Sequence, residues 1–366
     1  MWRLARGRAR ITWPLAGPIA AFVIATLLAA ALSARPAESL FSARSVLLLL
    51  GLWVVQDALP SAQSAARALV GLLGVLGVVS VLGIAQVAFC AEPWFVRLGV
   101  SVSTWWPALG RFFLKCHRAH AFYSIYMTLA GVFNIALLAT LPLLLPPRAA
   151  PGWAPVAWLV TLAGFAVTYV RGAWLGFAAG VVVLVASARR HRLALVAGLA
   201  MLAVVLLLLP GVRGRARSIA DPSDPTSSER WLMWKSGYEM ARDHLVTGVG
   251  PAQVKRVYPQ YAAPEVPNKY RGHLHNTPIQ ILVERGLLGL ASWLWLFAAF
   301  FVRAVRVARR VREPRDRALV TGAATAIAGF LAAGLFEHNF GDTEVLLVAL
   351  LVMSIVFVIE RESPTG

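Results

Sequence analysis

Long apolar runs recur along almost the whole chain, and they constrain its fold more than any other feature. Ten runs are predicted to be helical, at residues 14–32, 44–59, 68–90, 121–145, 154–170, 172–188, 193–210, 279–303, 318–336 and 342–359. About 20 apolar residues in a helix cross a hydrocarbon core about 30 Å thick. Because backbone groups in lipid must bond within their own segment, the fold class predicted is all-α, a polytopic membrane protein with about ten transmembrane helices.

Composition supports the membrane class and argues against a nucleic-acid partner. Hydrophobic residues make up 58% of the chain and charged residues 14%, whereas soluble domains carry about 25% charged residues. The formal net charge is +18. The arginines, however, lie in short clusters between apolar runs, where they act as topology signals and contact anionic headgroups.

The arginine clusters predict the orientation in the membrane. They lie before the first run, after the sixth run at residues 189–192, and after the eighth run at residues 303–317. With a cytoplasmic N-terminus, all three clusters fall on the cytoplasmic side, as the positive-inside rule requires. Both termini are then cytoplasmic. The first run could instead belong to a cleaved signal peptide, but its length and the runs that follow favour a retained helix.

This orientation divides the chain into three parts. Residues 1–210 are predicted to form an N-terminal transmembrane bundle, residues 211–278 a large periplasmic loop that carries the site, and residues 279–366 a C-terminal transmembrane bundle. Long loops are translocated largely regardless of charge, so the basic residues of the loop do not contradict the orientation. Their excess indicates an anionic substrate on the outer face.

A second outer segment, residues 91–120, mixes aromatic and basic residues in the way that suits a helix in the headgroup plane. Cys90 and Cys116 flank this segment, and they are the two cysteines of the chain. On the oxidising side of the membrane they could form a disulfide. They could equally be two buried thiols, because free cysteine often behaves as a small apolar residue.

Two arginines are candidates for anion binding. Arg171 lies between two apolar runs, where an arginine either faces a polar cavity or extends to the interface. Arg230 begins a helix in which Trp231, Trp234 and Tyr238 are spaced to share an aromatic face on the bundle or bilayer. The nearby Gly248-Val-Gly250 could cradle phosphate, but without a preceding strand a helix stop and turn explains it as well.

The strongest cluster of polar residues lies where the outer loop enters the next apolar helix. Arg271, His273, His275 and Asn276 are gathered there. A neutral histidine can accept a proton from a hydroxyl, and neighbouring arginines can bind phosphates. The alternative is a surface histidine that caps the helix. No metal site is predicted, because no cluster of Cys, Asp or Glu nearby completes the ligand set.

A further polar segment, Glu337-His338-Asn339, is predicted at the outer end of the ninth run. It could line the same cavity as the histidines, or it could be a polar turn between two helices. The turn is the interpretation slightly favoured by the sequence.

These motifs together resemble the O-antigen ligase and polymerase superfamily. The resemblance is carried by Tyr169-Val-Arg171-Gly-Ala-Trp-Leu-Gly176, Arg230-Trp-Leu-Met-Trp234, Gly248-Val-Gly250, His273-Leu-His275-Asn276 and Glu284-Arg-Gly-Leu-Leu-Gly289. Four motifs follow Arg171 in the order and spacing of that family. The resemblance covers about residues 165–305.

The resemblance implies a fold like that of C-type glycosyltransferases, with a periplasmic site in the inner membrane. It implies transfer of a glycan from undecaprenyl diphosphate to an acceptor hydroxyl, with inversion and with no metal or other cofactor. Arg171 and Arg230 would bind the diphosphate, with Arg271 and Asn276 also contacting substrate. His275 would be the base, and His273 is the alternative base.

The acceptor implied is lipid A-core. A polymerase of O-antigen or exopolysaccharide and a protein O-oligosaccharyltransferase would use the same chemistry with another acceptor. Members of the family usually have about twelve spans, so ten predicted spans leave the acceptor open. A transporter of anionic lipid or solute is the alternative of another class, but transporters place polar sites near the midplane.

Overall fold

The computed structural model describes residues 12–89, 116–145, 149–187, 192–219, 221, 223–266 and 269–362. Every regular element in these residues is helical, which confirms the all-α class. The α-helices are α1 (Ala16–Ala31), α2 (Pro36–Ala43), α3 (Gly51–Ala58), α4 (Ala62–Ala88), α5 (Tyr126–Leu144), α6 (Ala154–Ala166), α7 (Arg171–Ser187), α8 (Arg192–Leu207), α9 (Pro210–Arg217), α10 (Pro225–Asp243), α11 (Val254–Tyr261), α12 (Thr277–Arg310), α13 (Pro314–Ala333) and α14 (Thr343–Glu362). Two 3₁₀ segments, Arg44–Leu50 and Asn339–Gly341, complete the order.

Five helices of the described chain are long and apolar enough to cross a membrane. They are Pro36–Ala58, Ala62–Ala88, Tyr126–Leu144, Thr277–Arg310 and Thr343–Glu362. The pair α8 and α9, bent by 105°, could add a sixth as a broken span. The ten predicted spans and the large periplasmic loop are therefore not confirmed. Several apolar runs form helices shorter than a full crossing, such as α1, α6 and α7.

The chain divides into two compact units. The first comprises residues 1–62, 221–312 and 334–366, and the second comprises residues 63–220 and 313–333. The predicted division at residues 210 and 278 stays a prediction. Cys116, in the second unit, is buried and disulfide-bonded. Cys90 lies outside the described residues, as does most of the predicted interfacial segment 91–120.

Close helix packing through small residues builds the second unit around α5, α7 and α13. A Cβ atom at Gly176 of α7 would lie 2.6 Å from the backbone oxygen of Gly329 in α13. At Gly322 of α13 it would lie 2.1 Å from the oxygen of Ala139 in α5. Glycine lets backbones approach this closely, which is the usual way that helices pack in lipid. The amide of Asn134 donates to the oxygen of Gly329 at 3.2 Å and adds a polar link between α5 and α13.

In the first unit, α12 is two helical segments joined at Gly286. Gly286 has φ 63° and ψ −165°, a conformation reached almost only by glycine. The break frees carbonyl groups that a continuous helix would pair. The loop after α10 bonds to them: the amide of Val249 donates to the oxygen of Val283 at 2.8 Å, and that of Gly250 to the oxygen of Glu284 at 3.0 Å. In return, the amide of Leu287 donates to the oxygen of Leu245 at 2.8 Å.

This backbone clasp explains both glycine motifs without a ligand. A Cβ atom at Gly248 would lie 2.4 Å from the carbonyl carbon of Glu284, and one at Gly286 would lie 2.1 Å from the oxygen of Val246. The side chain of Glu284 reinforces the clasp by accepting from the amide of Ala252 at 3.1 Å. The sequence Gly248-Val-Gly250 is therefore the partner of the broken helix, and the phosphate cradle is not needed to explain it.

We expect Gly286→Ala to destabilise the protein by about 2 kcal/mol or more, because the alanine would be strained and would clash with Val246. The measurement is the midpoint of thermal unfolding in detergent. Gly198→Ala is the control, since nothing lies within 4 Å of its added Cβ in α8 and alanine is the better helix former. Equal midpoints for the two variants would contradict the clasp.

Candidate functional site

The candidate site lies in the first unit, where the chain before α12 meets the segment between α13 and α14. The Nδ1 atom of His275 lies 2.8 and 2.9 Å from the two carboxylate oxygens of Glu337. Both side chains are largely buried. Such a contact fixes the ring and its tautomer: Nδ1 carries the proton toward the carboxylate, which leaves Nε2 as the free base.

Four hydrogen bonds fix the two segments to each other. The backbone amide of Thr277 donates to the oxygen of Gly334 at 2.6 Å. Its hydroxyl donates to the backbone oxygen of Glu337 at 2.9 Å and to the side-chain oxygen of Asn339 at 3.1 Å. The amide group of Asn276 donates to the oxygen of Leu335 at 2.9 Å. The position of Glu337 beside His275 is therefore set by hydrogen bonds from Thr277 and Asn276 to its own segment.

The helix cap at the start of α12 fixes the backbone next to His275. The side-chain oxygen of Asn276 accepts from the amide of Ile279 at 3.0 Å and caps the helix. His275, immediately before the cap, has φ 48°, a left-handed conformation that a non-glycine residue adopts only where its surroundings hold it. Asn276 is buried and its side chain is engaged at both ends. The capping role that the sequence considered for a histidine thus belongs to Asn276.

Two arginines and the second histidine surround the pair. A guanidinium nitrogen of Arg230 lies 3.5 Å from Glu337, and Arg271 pairs with Glu229. The rings of His273 and His275 are edge to face with centroids 4.3 Å apart. The Nδ1 atom of His273 lies 3.9 Å from Glu337, and 47% of this side chain is exposed. The structure thus brings Arg230, Arg271, His273 and His275 together as the sequence predicts.

Trp234 supports this cluster rather than an aromatic face on the bilayer. Its indole nitrogen donates to the oxygen of Leu274 at 3.1 Å, and its ring packs on Phe336. Trp231 and Tyr238 lie on the exposed side of α10 instead. The three aromatics therefore differ in their surroundings, because Trp234 is turned toward the segment that carries the histidines while Trp231 and Tyr238 are exposed.

The surroundings of the site lower the pKa of both Glu337 and His273. Burial alone would raise the pKa of Glu337, but the hydrogen bond from His275 and the nearby positive charges outweigh it and hold this pKa below its usual value. Partial desolvation lowers the pKa of His273, and the adjacent ring of His275 lowers it further because two positive charges at this distance would repel each other. At neutral pH, Glu337 is therefore ionised and His273 is neutral.

Glu337 also changes the argument about metals. Ligand atoms of His273, His275 and Glu337 lie within 4.8 Å of one another, close enough for a metal site. The sequence-based premise that no carboxylate completes the histidine pair is therefore wrong. The contact from Arg230 places a fixed positive charge against the same carboxylate, which disfavours a divalent cation there. The metal-free site stays a prediction.

Arg171 lies in the second unit, at the start of α7. Its side chain is buried, so it does not extend to the interface. One guanidinium nitrogen donates to the backbone oxygen of Ser218 at 2.7 Å and to its hydroxyl at 3.0 Å. The neighbouring Tyr169 has φ 55°, and its backbone oxygen accepts a hydrogen bond from the side chain of Arg215 at 3.3 Å. The chain after α9 thus closes over Arg171.

The sequence left open whether Glu337 lines the cavity of the histidines or lies in a polar turn, and it slightly favoured the turn. The segment is a turn, but it also delivers this carboxylate to His275. Its acidic side chain at the end of an apolar run was the available signal, since such residues are costly near lipid unless paired. Glu284 and Arg285 were seen only as part of a motif. They form a buried ion pair at 2.6 Å, and Arg285 also donates to Thr26 at 3.1 Å.

His338, next to Glu337, faces a different environment. It borders a cavity of about 40 Å³ together with Arg285, Ser45 and apolar side chains. Its Nδ1 atom is buried with no hydrogen-bond partner among the described residues. Burial, more than any neighbouring charge, lowers the pKa of His338 to about 4. The folded protein therefore holds this ring neutral.

The low pKa of His338 predicts a loss of stability in acid. Unfolded histidine titrates near pH 6.5, so the unfolded chain binds a proton at a pH where His338 of the folded chain is still neutral, down to about pH 4. The contribution of neutral His338 to the free energy of unfolding is complete above pH 6.5. It declines as the pH falls, by about 2 kcal/mol between pH 7.5 and pH 5. We expect His338→Gln to lose less thermal stability over that interval than the unsubstituted protein. His244→Gln, at an exposed histidine, is the control, and a parallel loss in all three proteins would contradict the prediction.

Comparison with known proteins supports the resemblance found in the motifs. A family model described as O-Antigen ligase matches residues 156–294, a segment that includes Arg171, Arg230 and both candidate histidines but ends before Glu337. No curated protein matches the chain. The match and the apolar helices together support an integral membrane protein with activity of the glycosyltransferase or ligase type. The predicted similarity of this chain to the O-antigen ligase superfamily is therefore confirmed.

Proposed function

We propose that the protein transfers a glycan from undecaprenyl diphosphate to an acceptor hydroxyl, with lipid A-core as the acceptor. The observation that carries the proposal is the contact of His275 with Glu337 at 2.8 Å. It supplies an oriented base within the segment that resembles O-antigen ligases. The reaction needs proton removal from a hydroxyl, and a carboxylate-oriented histidine is suited to that task.

In the proposed step, Nε2 of His275 accepts the proton of the acceptor hydroxyl. The hydroxyl oxygen attacks the anomeric carbon of the donor sugar, and the bond from that carbon to the diphosphate oxygen breaks. Attack from the side opposite the leaving group inverts the anomeric configuration. The lipid diphosphate carries away the bonding electrons. Glu337 stabilises the imidazolium that forms, without itself taking the proton.

The departing diphosphate needs positive charge, and arginines can supply it without a metal. We propose Arg171 and Arg230 for this role, and Arg271 as a further contact to substrate, because a guanidinium binds phosphate oxygens with two parallel hydrogen bonds. The contact of Arg230 with Glu337 is long, at 3.5 Å, and can exchange for a phosphate. Asn276 would act by holding the start of α12, and His273 is the alternative base.

The proposed setting is the inner membrane of a bacterium, with the site on the periplasmic face and both termini in the cytoplasm. The support is the distribution of the arginine clusters. A polymerase or a protein O-oligosaccharyltransferase would use the same site with a different acceptor. A transporter needs no base oriented by a carboxylate, so the pair of His275 and Glu337 favours the enzyme.

Replacing either member of the pair tests the proposal. We expect His275→Ala to lower transfer on the order of 10²–10⁴-fold, because the proton acceptor is lost. Glu337→Gln should lower it at least about 10²-fold, because an amide can hold the ring in the wrong tautomer. The measurement is transfer from a purified polyprenyl-diphosphate glycan in membranes that contain equal amounts of each variant.

Glu265→Gln, at an exposed carboxylate of the same unit, is the matched control and should retain activity. Full activity of His275→Ala together with an inactive His273→Ala would assign the base to His273. The same assays in the presence of a chelator test whether His273, His275 and Glu337 act without a metal or bind one. Loss of activity in the chelator, restored by a divalent cation, would contradict the metal-free reaction.

Arg171→Lys tests the diphosphate role. Lysine keeps the charge but lacks the planar fork, so we expect transfer to fall at least about tenfold. Arg256→Lys, at an exposed arginine paired with Glu38, is the matched control. Equal transfer by both variants, at subsaturating donor, would remove Arg171 from the proposed site.

A further inference from the structure

The exposed side of α10 carries an unusual stripe of side chains. Trp231, Lys235, Tyr238 and Arg242 follow one another at i, i+4, i+7 and i+11, so they share one face of the helix. All four are exposed, Trp231 by 66% and Tyr238 by 67%. We call these four residues the aromatic–basic stripe. Two large aromatic rings this exposed on one helix face are not explained by packing within the unit.

The opposite face of α10 is packed against the core of the first unit. Met233, Gly237 and Met240 point into a core with Val249, Tyr258 and Leu274. Gly237 is so close to Leu274 and Ile279 that an added Cβ would lie 2.8 and 2.9 Å from them. The rotation of α10 is therefore fixed from inside the unit, and the stripe must point away from it.

The chain that follows the stripe leads to an exposed apolar surface. After α10 the chain exposes Leu245 and Val246, and the oxygen of Leu245 accepts from the amide of Leu287. From there an exposed apolar face runs down the second segment of α12. It consists of Leu287, Leu288, Ala291, Leu294, Trp295, Ala298 and Val302. A candidate transmembrane helix with such a face presents it to hydrocarbon.

We propose that the aromatic–basic stripe docks α10 on the lipid headgroup layer, with anionic phospholipid as its partner. The lipid-facing side of α12 ends at Leu287, next to Leu245, so the membrane boundary passes through the clasp. Tryptophan and tyrosine favour that level of a bilayer, because one part of each ring system is apolar and the other is polar. Lys235 and Arg242 then meet the phosphates. Asp243 lies 3.8 Å from Arg242 and accepts from the hydroxyl of Tyr261, and Glu239 lies on the same helix between Lys235 and Arg242.

The experiment places a nitroxide spin label at single cysteines in the full chain. Trp231→Cys and Tyr238→Cys report on the stripe, and Lys255→Cys, on the exposed side of α11, is the matched control. Each protein is reconstituted in nanodiscs of phosphatidylcholine alone or mixed with phosphatidylglycerol. Oxygen, which partitions into lipid, and a water-soluble nickel chelate serve as collision reagents. The unsubstituted protein, carried through the labelling, gives the background.

We expect the ratio of oxygen to nickel accessibility to be several-fold higher at positions 231 and 238 than at position 255. Adding Lys235→Glu and Arg242→Glu should lower the ratio at position 231 more in discs with phosphatidylglycerol than in discs without it. These residues lie outside the proposed catalytic pair, so the result is independent of the proposed function.

Three results would overturn the proposal. Equal ratios at positions 231, 238 and 255 would mean that the stripe faces water. Shielding of position 231 from both reagents in both lipids would mean that a second copy of the chain covers it. Shielding that develops only when a polyprenyl-diphosphate glycan is added would assign the stripe to substrate instead.

Discussion

The break in α12 at Gly286, with the loop that bonds to it, is the constraint on which the rest of the first unit depends. The break is buried within the unit, so its freed carbonyl groups must be satisfied by the protein, because a buried backbone group without a partner is costly. The amides of Val249 and Gly250 meet that need. In doing so they fix the segment from Thr277 to Arg285, whose first turn carries the cap at Asn276 and, before it, His275.

The candidate base depends on that arrangement in a second way. His275 is held in a left-handed conformation between the cap and the core residue Leu274. The segment from Gly334 to Asn339 is bonded to the same turn through Thr277 and Asn276. Glu337 consequently meets Nδ1 from a fixed direction. A carboxylate in this position determines which nitrogen is free, so the backbone bonds of the turn decide the chemistry that the ring can perform.

The same clasp joins the candidate site to the membrane surface. Leu245 and Val246, which lie between α10 and the clasp, are exposed beside the apolar face of α12. The proposed docking would place α10, which precedes this boundary, along the headgroup layer. The buried face of α10 delivers Arg230 and Trp234 to the histidine segment, while its outer face carries the aromatic–basic stripe. One helix thus links the polar cluster to the lipid-facing surface.

The sequence by itself determined the helical membrane class, the resemblance to O-antigen ligases, and the grouping of Arg271, His273 and His275, because these rest on composition and on residues close together along the chain. Arg230 lies far from them along the chain, and the sequence linked it to them only through the resemblance. The ten predicted spans are not confirmed, since apolar runs do not reveal where a helix bends. Only the tertiary structure decided that Glu337 orients His275, because the two residues are 62 positions apart and are brought together by hydrogen bonds between two segments that no local pattern encodes. It likewise decided that the paired glycine motifs clasp a broken helix, since that role arises from contact between two backbones.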